Sequence, residues 1–560
     1  MTDTGPATTG SSGFQWDIPE FYNIGVDISD KWANQDPDRL AIIDIDRKGT
    51  AREYSFGQLQ SRSSQLAHAL NGLGISCRDG MGDRVGVLLP QRYETAVSHA
   101  AITKAGCISI PLFTLFGEEA LLHRLRDSGA SAVITNEGGV ANLAGLRDRL
   151  PDLRVVLSVD GETPDALDFQ AVCDAQPITY QPVRTRADDP AILIYTSGTT
   201  GNPKGALHAH RVLLGHLPGV ETSHNFLPKP GDRIWSPADW AWIGGLLDVL
   251  MPALHHGVTV VARRFDKFTP EAAFALLRDY EIRNAFLPPT ALKLMRQFPE
   301  ARNYGLKMRS VASGGETLGS ELLDWGRDVF GTTINEFYGQ TECNMIVSSC
   351  SEVEPPVPGF MGRPVRGHQV AVLDPVSGET LPAGQEGAIA VRSPDPVMFL
   401  GYWNNPSATA EKFIDTKSGR WLLTGDRGTT DEDGRLRFVG RDDDVISSAG
   451  YRIGPSEIEN SLIAHPAVQM AGVVGKPDPV RGAVVMAYLV LNDGYSPSDN
   501  LAQEIADHVK SNLAAYEYPR VVRFIDDMPM TTTGKIVRAT LRRMAEEEAA
   551  SETAQSKVTP

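Results

Sequence analysis

Two rhythms of hydrophobic positions alternate along this chain. Short apolar runs bounded by turn residues read as buried strands: Leu40-Ala-Ile-Ile-Asp-Ile45, Arg84-Val-Gly-Val-Leu-Leu89 ahead of Pro90, Ser131-Ala-Val-Ile-Thr135, Arg154-Val-Val-Leu-Ser158, Ala191-Ile-Leu-Ile194, Gly257-Val-Thr-Val-Val261 and Ser310-Val-Ala-Ser313. Between them lie helical patterns. Ser55-Phe-Gly-Gln58 forms a capping box followed by Leu59, Leu66, Leu70 and Leu73, and residues 94–104 and 270–279 also read as helices. Strand alternating with helix predicts parallel sheets covered on both faces. From about Gly362 to Phe438 the texture changes to short β segments with Gly and Pro turns, which predicts a small barrel-like or meander region. Beyond Gly440 a self-contained α+β pattern runs to about Arg542. The start of the chain is expected to be disordered, and the Glu/Ala/Ser-rich residues 544–560 to form a frayed tail. No internal repeat is visible.

The fold class predicted is therefore α/β. A large N-terminal domain of parallel sheets flanked by helices, with a small β-barrel-like region, precedes a small α+β C-terminal domain. A length of 560 residues exceeds one hydrophobic core and requires at least two domains. A formal charge of −17 argues against nucleic acid or an anionic membrane as the main partner. A local Arg and Lys cluster can still serve an anionic cofactor. Five scattered cysteines without a C-x-x-C pair exclude a disulfide framework or a zinc site and suit a reducing compartment. Residues 1–13 lack Lys, Arg and an apolar core, so neither a secretory signal nor a transit peptide is expected. No apolar stretch approaches the roughly 18 residues of a spanning helix. The expected compartment is the cytoplasm.

Candidate chemistry gathers in six places. Tyr195-Thr-Ser-Gly-Thr-Thr-Gly-Asn-Pro-Lys-Gly205 follows a buried strand and combines three glycines, four hydroxyls and one cation. Glycines let backbone N–H groups curl around an anion, hydroxyls add donors, and lysine adds charge, which makes a phosphate cradle. Pro203 sits where a Walker A loop needs its second glycine, so this is not that loop. Ser313-Gly-Gly-Glu-Thr317 leaves a strand where α/β folds bind nucleotides. Glu336-Phe-Tyr-Gly-Gln-Thr-Glu342 offers a ring for a base, a hydroxyl for a phosphate and a carboxylate for Mg²⁺. Thr424-Gly-Asp426 places a carboxylate suited to ribose hydroxyls. Gly440-Arg-Asp-Asp-Asp444 and Gly450-Tyr-Arg-Ile-Gly454 flank the domain boundary, and Pro529-Met-Thr-Thr-Thr-Gly-Lys535 puts a lysine after a glycine turn. Each has an ordinary alternative when taken alone: a hydroxyl-rich surface loop, a Gly-Gly turn, a buried tyrosine, an Asp turn, solvated Arg–Asp pairs and a surface lysine.

Taken together, in this order and at these separations, the six segments resemble the adenylate-forming superfamily of acyl-CoA synthetases, adenylation domains and luciferases. The resemblance runs from about Asp27 to Arg542. Gly450-Tyr-Arg-Ile-Gly-Pro-Ser-Glu-Ile-Glu-Asn460, His465-Pro-Ala-Val468, Pro477-Asp-Pro-Val-Arg-Gly482 and Tyr516-Glu-Tyr-Pro-Arg520 look most like the medium-chain acyl-CoA synthetase subfamily. It implies an ATP- and acyl-binding domain over residues 1–442 and a mobile domain over 443–560, turning about Asp443. It also implies that Thr196, Ser197, Gly198, Thr199, Thr200, Gly201 and Lys204 hold the β- and γ-phosphates of ATP. Gly315, Glu316 and Thr317 line the adenine side, Tyr338 stacks on the base, and Glu336 sits where the exocyclic amine is read. Gly339 and Gln340 complete that wall. Thr341 meets the α-phosphate, Glu342 binds Mg²⁺, and Asp426 and Arg441 take the ribose hydroxyls. Lys535 bridges substrate carboxylate and α-phosphate, while Gly450, with Arg452 beside it, lies toward the pantetheine of coenzyme A. Trp240, Trp242, Gly244, Gly339 and Met345 surround the acyl group.

Two departures fall at that pocket. Cys343-Asn344-Met345 stands where the family has Thr-Gly after its Thr-Glu pair, and Asp239-Trp-Ala-Trp242 replaces Asp-x-Gly-Trp. Acetate-specific relatives carry tryptophan where this chain has Gly339, so glycine is expected to leave the acyl volume open. At about 0.8 kcal/mol per buried methylene, a C6 acid is expected to exceed acetate by on the order of a hundredfold.

The implied reaction needs no protein nucleophile, which matches the absence of Ser-His-Asp and Cys-His signatures. A carboxylate is a poor electrophile, but an acyl-adenylate has a good leaving group, and a thiol with a pKa of about 8.5 can attack it. Expected partners are a carboxylic acid, ATP and coenzyme A, with neither nucleic acid nor integral membrane association, in a monomer or homodimer. Loading of a carrier protein, activation of an aryl or functionalised acid, a luciferase-type oxidation and a catalytically silent acyl-binding protein are the rival readings.

Overall fold

Alternation within single strands divides the core of the large domain into layers. Ile42 and Val260 face a central apolar layer, whereas their neighbours Ile43 and Val261 face an outer one. Ile134 likewise points to the centre and Val133 to the other side. The computed structural model describes residues 13–78, 80–196, 203–265, 267–315, 318–442, 444–448, 451–478, 481–513, 517–531 and 535–556.

Two sheets enclose the central layer. The first has nine strands, six of them parallel: Ile334–Gln340, Ser310–Gly314, Asn284–Phe286, Arg233–Trp235, Thr259–Arg263 and Leu40–Ile45. The second has eight, including the parallel set Pro190–Thr196, Ile108–Pro111, Arg84–Leu88, Ala132–Thr135, Val155–Ser158 and Leu167–Asp168. Helices Phe56–Gly72, Tyr93–Lys104 and Val212–Ser223 supply the apolar side chains between the sheets. Helices Pro270–Asp279 and Ser320–Phe330 cover the outside of the first sheet, and Glu118–Ser128 covers the second. The capping box on Ser55 forms as the sequence predicts.

The Gly- and Pro-rich stretch forms a five-stranded sheet with antiparallel pairings, packed against Tyr338 and Val347 of the large domain. The C-terminal region builds its own core around Val468–Asp478, Gly482–Leu491 and Val521–Phe524. Its last helix, Arg538–Ser556, corrects the expectation of a frayed tail from residue 544. Leu541 and Ala545 are fully buried four residues apart, and Glu548 on the same face accepts hydrogen bonds from Lys476 and Arg523, each at 2.7 Å. The composition looked solvated because the apolar positions of that face are few and small. A second ionic contact ties this helix to the start of the domain. Asp444 pairs with Arg542 at 2.5 Å and with Arg538 at 3.6 Å, while Arg538 also meets Glu459 at 2.5 Å.

Candidate active site

Antiparallel pairing brings the two ends of the phosphate-loop segment together. Strand Pro190–Thr196 returns as Lys204–Ala209, with Thr196 opposite Lys204 and the Thr196 hydroxyl 3.4 Å from the Lys204 carbonyl. Ser197, Gly198, Thr199, Thr200 and Gly201 lie outside the described residues. Tyr195 donates to Asp127 at 2.7 Å and His123 bonds the Pro203 carbonyl at 2.9 Å, which anchors both sides of the loop. Gly401–Tyr402 adds a short strand beside Lys204–Ala209. The Lys204 ammonium lies 5.3 Å from the Tyr402 ring, and the Tyr402 hydroxyl donates to Glu342. Tyr402 thus joins the phosphate lysine to the candidate metal carboxylate. Sequence reading missed it, because nothing in Gly401-Tyr402 distinguishes it from an ordinary turn aromatic.

Thr341 and Glu342 are the two turn residues of a hairpin whose flanking Gln340 and Cys343 pair. This tight reversal projects a hydroxyl and a carboxylate from the end of a parallel strand, where α/β folds present their chemistry. Further back on that strand, Tyr338 donates to Asp426 Oδ2 at 2.6 Å, and Gln340 donates to the Thr424 carbonyl at 2.9 Å. The other Asp426 oxygen lies 3.7 Å from Arg441, its cross-strand neighbour. Burial pushes the Asp426 carboxyl upward, against the charges of Arg441, Lys412 and Lys535 and the Tyr338 hydroxyl. Lys412, unnoticed in the sequence, donates to Gln340 and to the Thr424 carbonyl. Glu336 is 4% exposed and accepts from the Leu318 backbone N–H at 3.2 Å, and burial raises its carboxyl to about 8. Glu316 and Thr317, like Asp443 and Gly450, fall outside the described residues, as does the side chain of Arg452.

Lys535 is held on a closed loop: its N–H bonds the Thr531 hydroxyl and its carbonyl accepts from the Thr531 N–H at 2.7 Å. Its ammonium stands 5.7 Å from the Trp242 ring, and a Cβ added to Gly315 would meet it at 3.8 Å. Gly315 has a φ of 103°, a left-handed conformation that glycine adopts without strain. One lysine from the last domain therefore reaches the strand-end glycine and the pocket tryptophan of the first.

The residues expected around the acyl group divide. Trp242 is partly buried beside Lys535, and Gly244 seats it: a Cβ there would meet the Trp242 ring at 2.7 Å. Trp240 and Met345 are 1% and 0% exposed and belong to the central core. Gly339 does not open onto free volume, which corrects the expectation above. It lies at a register shift of the hairpin, and a Cβ there would meet Asn344 Oδ1 and the Met345 nitrogen at 2.5 Å. Asn344 in turn donates to both oxygens of Asp248, at 2.7 and 2.9 Å.

Known proteins share this arrangement. The family model described as "AMP-binding enzyme" matches residues 29–403, and "AMP-binding enzyme C-terminal domain" matches residues 457–535. The human protein "Acyl-coenzyme A synthetase ACSM2B, mitochondrial" is 34% identical over 544 residues, which covers 94% of this chain and 92% of that protein. Among solved structures, the anthranilate CoA ligase AuaEII in complex with anthranoyl-AMP superposes with a TM-score of 0.85 at 28% identity, over 95% of this chain and 99% of its own. The Brucella canis acyl-CoA synthetase is similar with a TM-score of 0.70 at 32% identity, over 94% of this chain and 95% of its own.

Proposed function

Because the chain belongs to the AMP-binding enzyme family, we infer that it is an AMP-forming acid–CoA ligase, acting on a short-to-medium-chain carboxylic acid. The acid's oxygen attacks the α-phosphorus of ATP and pyrophosphate leaves. The thiol of coenzyme A then attacks the acyl carbon, and AMP leaves with the bonding electrons. The observation that carries this reading is Lys535 standing beside Gly315 and Trp242, where a cation can meet both a carboxylate and an α-phosphate.

Roles follow from placement. Lys204 and the loop before it neutralise the outer phosphates, Thr341 faces the α-phosphate, and Asp426 with Arg441 binds the ribose. Among the described residues no three His, Cys, Asp or Glu side chains converge on a metal position. One buried carboxylate, Glu342, oriented by Tyr402, nevertheless suits Mg²⁺, which binds through one or two carboxylates together with phosphate oxygens and water. Glu342 would hold the ion, which would neutralise charge on the phosphates. Trp242, Phe286 and Phe337, with successive ring centroids 5.7 and 5.1 Å apart, favour an aryl acid as the second reading.

Among the described residues no helix is long and apolar enough to cross a membrane. The cytoplasm is the proposed compartment, and cell fractionation that finds the chain in mitochondria would replace it. The decisive experiment is Lys535→Ala. Acid-dependent ATP–pyrophosphate exchange should fall by about three orders of magnitude, while thioester formation from supplied acyl-adenylate survives. Equal loss of both half-reactions would reject the role of Lys535. Pyrophosphate exchange without coenzyme-A-dependent AMP release would favour a carrier-loading enzyme.

A further inference from the structure

The walls of the acyl pocket meet at one buried pair. Helical residues Ile243–Leu250 start directly after Trp242, the ring beside Lys535, and form the first wall. Hairpin strands Ile334–Gln340 and Cys343–Ser348 form the second. Asn344 of the hairpin donates both of its bonds to Asp248 of the helix, at 2.7 and 2.9 Å, so the two walls are fastened together there. Six residues separate Trp242 from Asp248, on the order of 9 Å along a helix. The stretch from Leu246 to Leu250 is π-helical, a form that recurs at functional sites.

Asn344 also occupies the space that Gly339 would otherwise leave, its Oδ1 lying 2.5 Å from the position of an added Cβ. The next residue, Met345, is held at a φ of 58°, and its Cβ lies against Gly219 of the neighbouring helix. A cost in backbone conformation is thus accepted where the hairpin turns Asn344 toward Asp248. Asp248 is 2% exposed, with His216 Nε2 at 4.0 Å as its other polar neighbour given by the geometry. A carboxyl so enclosed gains little from lying in an apolar core unless its position matters. An apolar pair would close the same gap without a buried polar group.

Resting on the ligase reading above, we propose that Asn344, tethered by Asp248, is the specificity-determining residue that limits the length of the acid. The pair forms a polar stop across the acyl channel. Acids whose chain ends before it bind with apolar walls on every side. Longer chains must displace Asn344 and strand its amide and the Asp248 oxygens without partners.

The test compares wild type, Asn344→Gly and Asn344→Gln in ATP–pyrophosphate exchange with straight-chain acids from acetate to octanoate. Wild type should decline steeply beyond the short acids. Asn344→Gly should raise the octanoate-to-propionate ratio of kcat/KM by roughly tenfold or more, the equivalent of two further buried methylenes. Asn344→Gln should act oppositely and lower the hexanoate-to-propionate ratio. A merely structural role would depress every acid alike and leave the ratios unchanged, which would overturn the proposal. Wild type that takes octanoate as well as propionate would overturn it too. No exchange with any straight-chain or aryl acid would instead defeat the ligase reading itself.

Discussion

At Glu336 burial changes the chemistry of a single carboxyl. Its value of about 8, against 4.5 for an ordinary glutamate, keeps it protonated at neutral pH as a hydrogen-bond donor as well as an acceptor. The folded state therefore holds a proton that the unfolded state releases above about 4.5. This group's contribution to stability falls as pH rises from there toward about 8. Beside an adenine edge, a neutral carboxyl can pair where a carboxylate would repel. We predict that KM for ATP rises as pH passes about 8, and that Glu336→Gln removes that rise while keeping affinity at neutral pH. Titrating ATP saturation across alkaline pH in both proteins checks it, and an unchanged profile in the variant would assign the titration elsewhere. The sequence places this residue two positions before Tyr338 but gives no sign of its protonation. That property depends on the Leu318 segment and on a strand buried by neighbours distant in sequence.

Among elements, those with a clear period were legible. Leu40–Ile45 and Pro270–Asp279 form over the residues their apolar pattern marks, because six apolar-rich positions or a Thr-capped amphipathic run leave few alternatives. Helix Arg538–Ser556 was not legible past residue 544. Its buried face is Leu541, Ala545 and Glu548, a leucine, an alanine and an acid whose partners arrive from two other strands. Removing that acid should therefore matter more than composition suggests. Glu548→Ala should destabilise the C-terminal domain by about 1.5–3 kcal/mol, since it takes the acceptor from Lys476 and Arg523 together. Urea unfolding followed through that domain measures it, and an unchanged midpoint would return the segment to the status of a tail.

Across the whole molecule, six short segments spread from residue 195 to residue 535 supplied nearly all of the candidate site, because catalytic groups sit at strand ends that the chain must mark with glycine and hydroxyl residues. What escaped notice were the partners that orient them: Tyr402, Lys412 and the Asn344–Asp248 pair. Each is an unremarkable residue in its own segment and acquires a role only through a contact across the fold. The division at residue 442 leads to a further prediction. If Asp443 is the pivot between two arrangements, Asp443→Pro, which fixes φ, should spare pyrophosphate exchange and lower thioester formation at least tenfold. Equal effects on both steps would remove the pivot. The contact of Asp444 with Arg538 and Arg542 bears on how such a pivot would work. It keys the first residue past the axle to the helix that begins three residues after Lys535, so the lysine behaves as the tip of a stiff crank. Any turn at the axle is delivered to the ammonium undiminished, and its path is an arc of fixed radius.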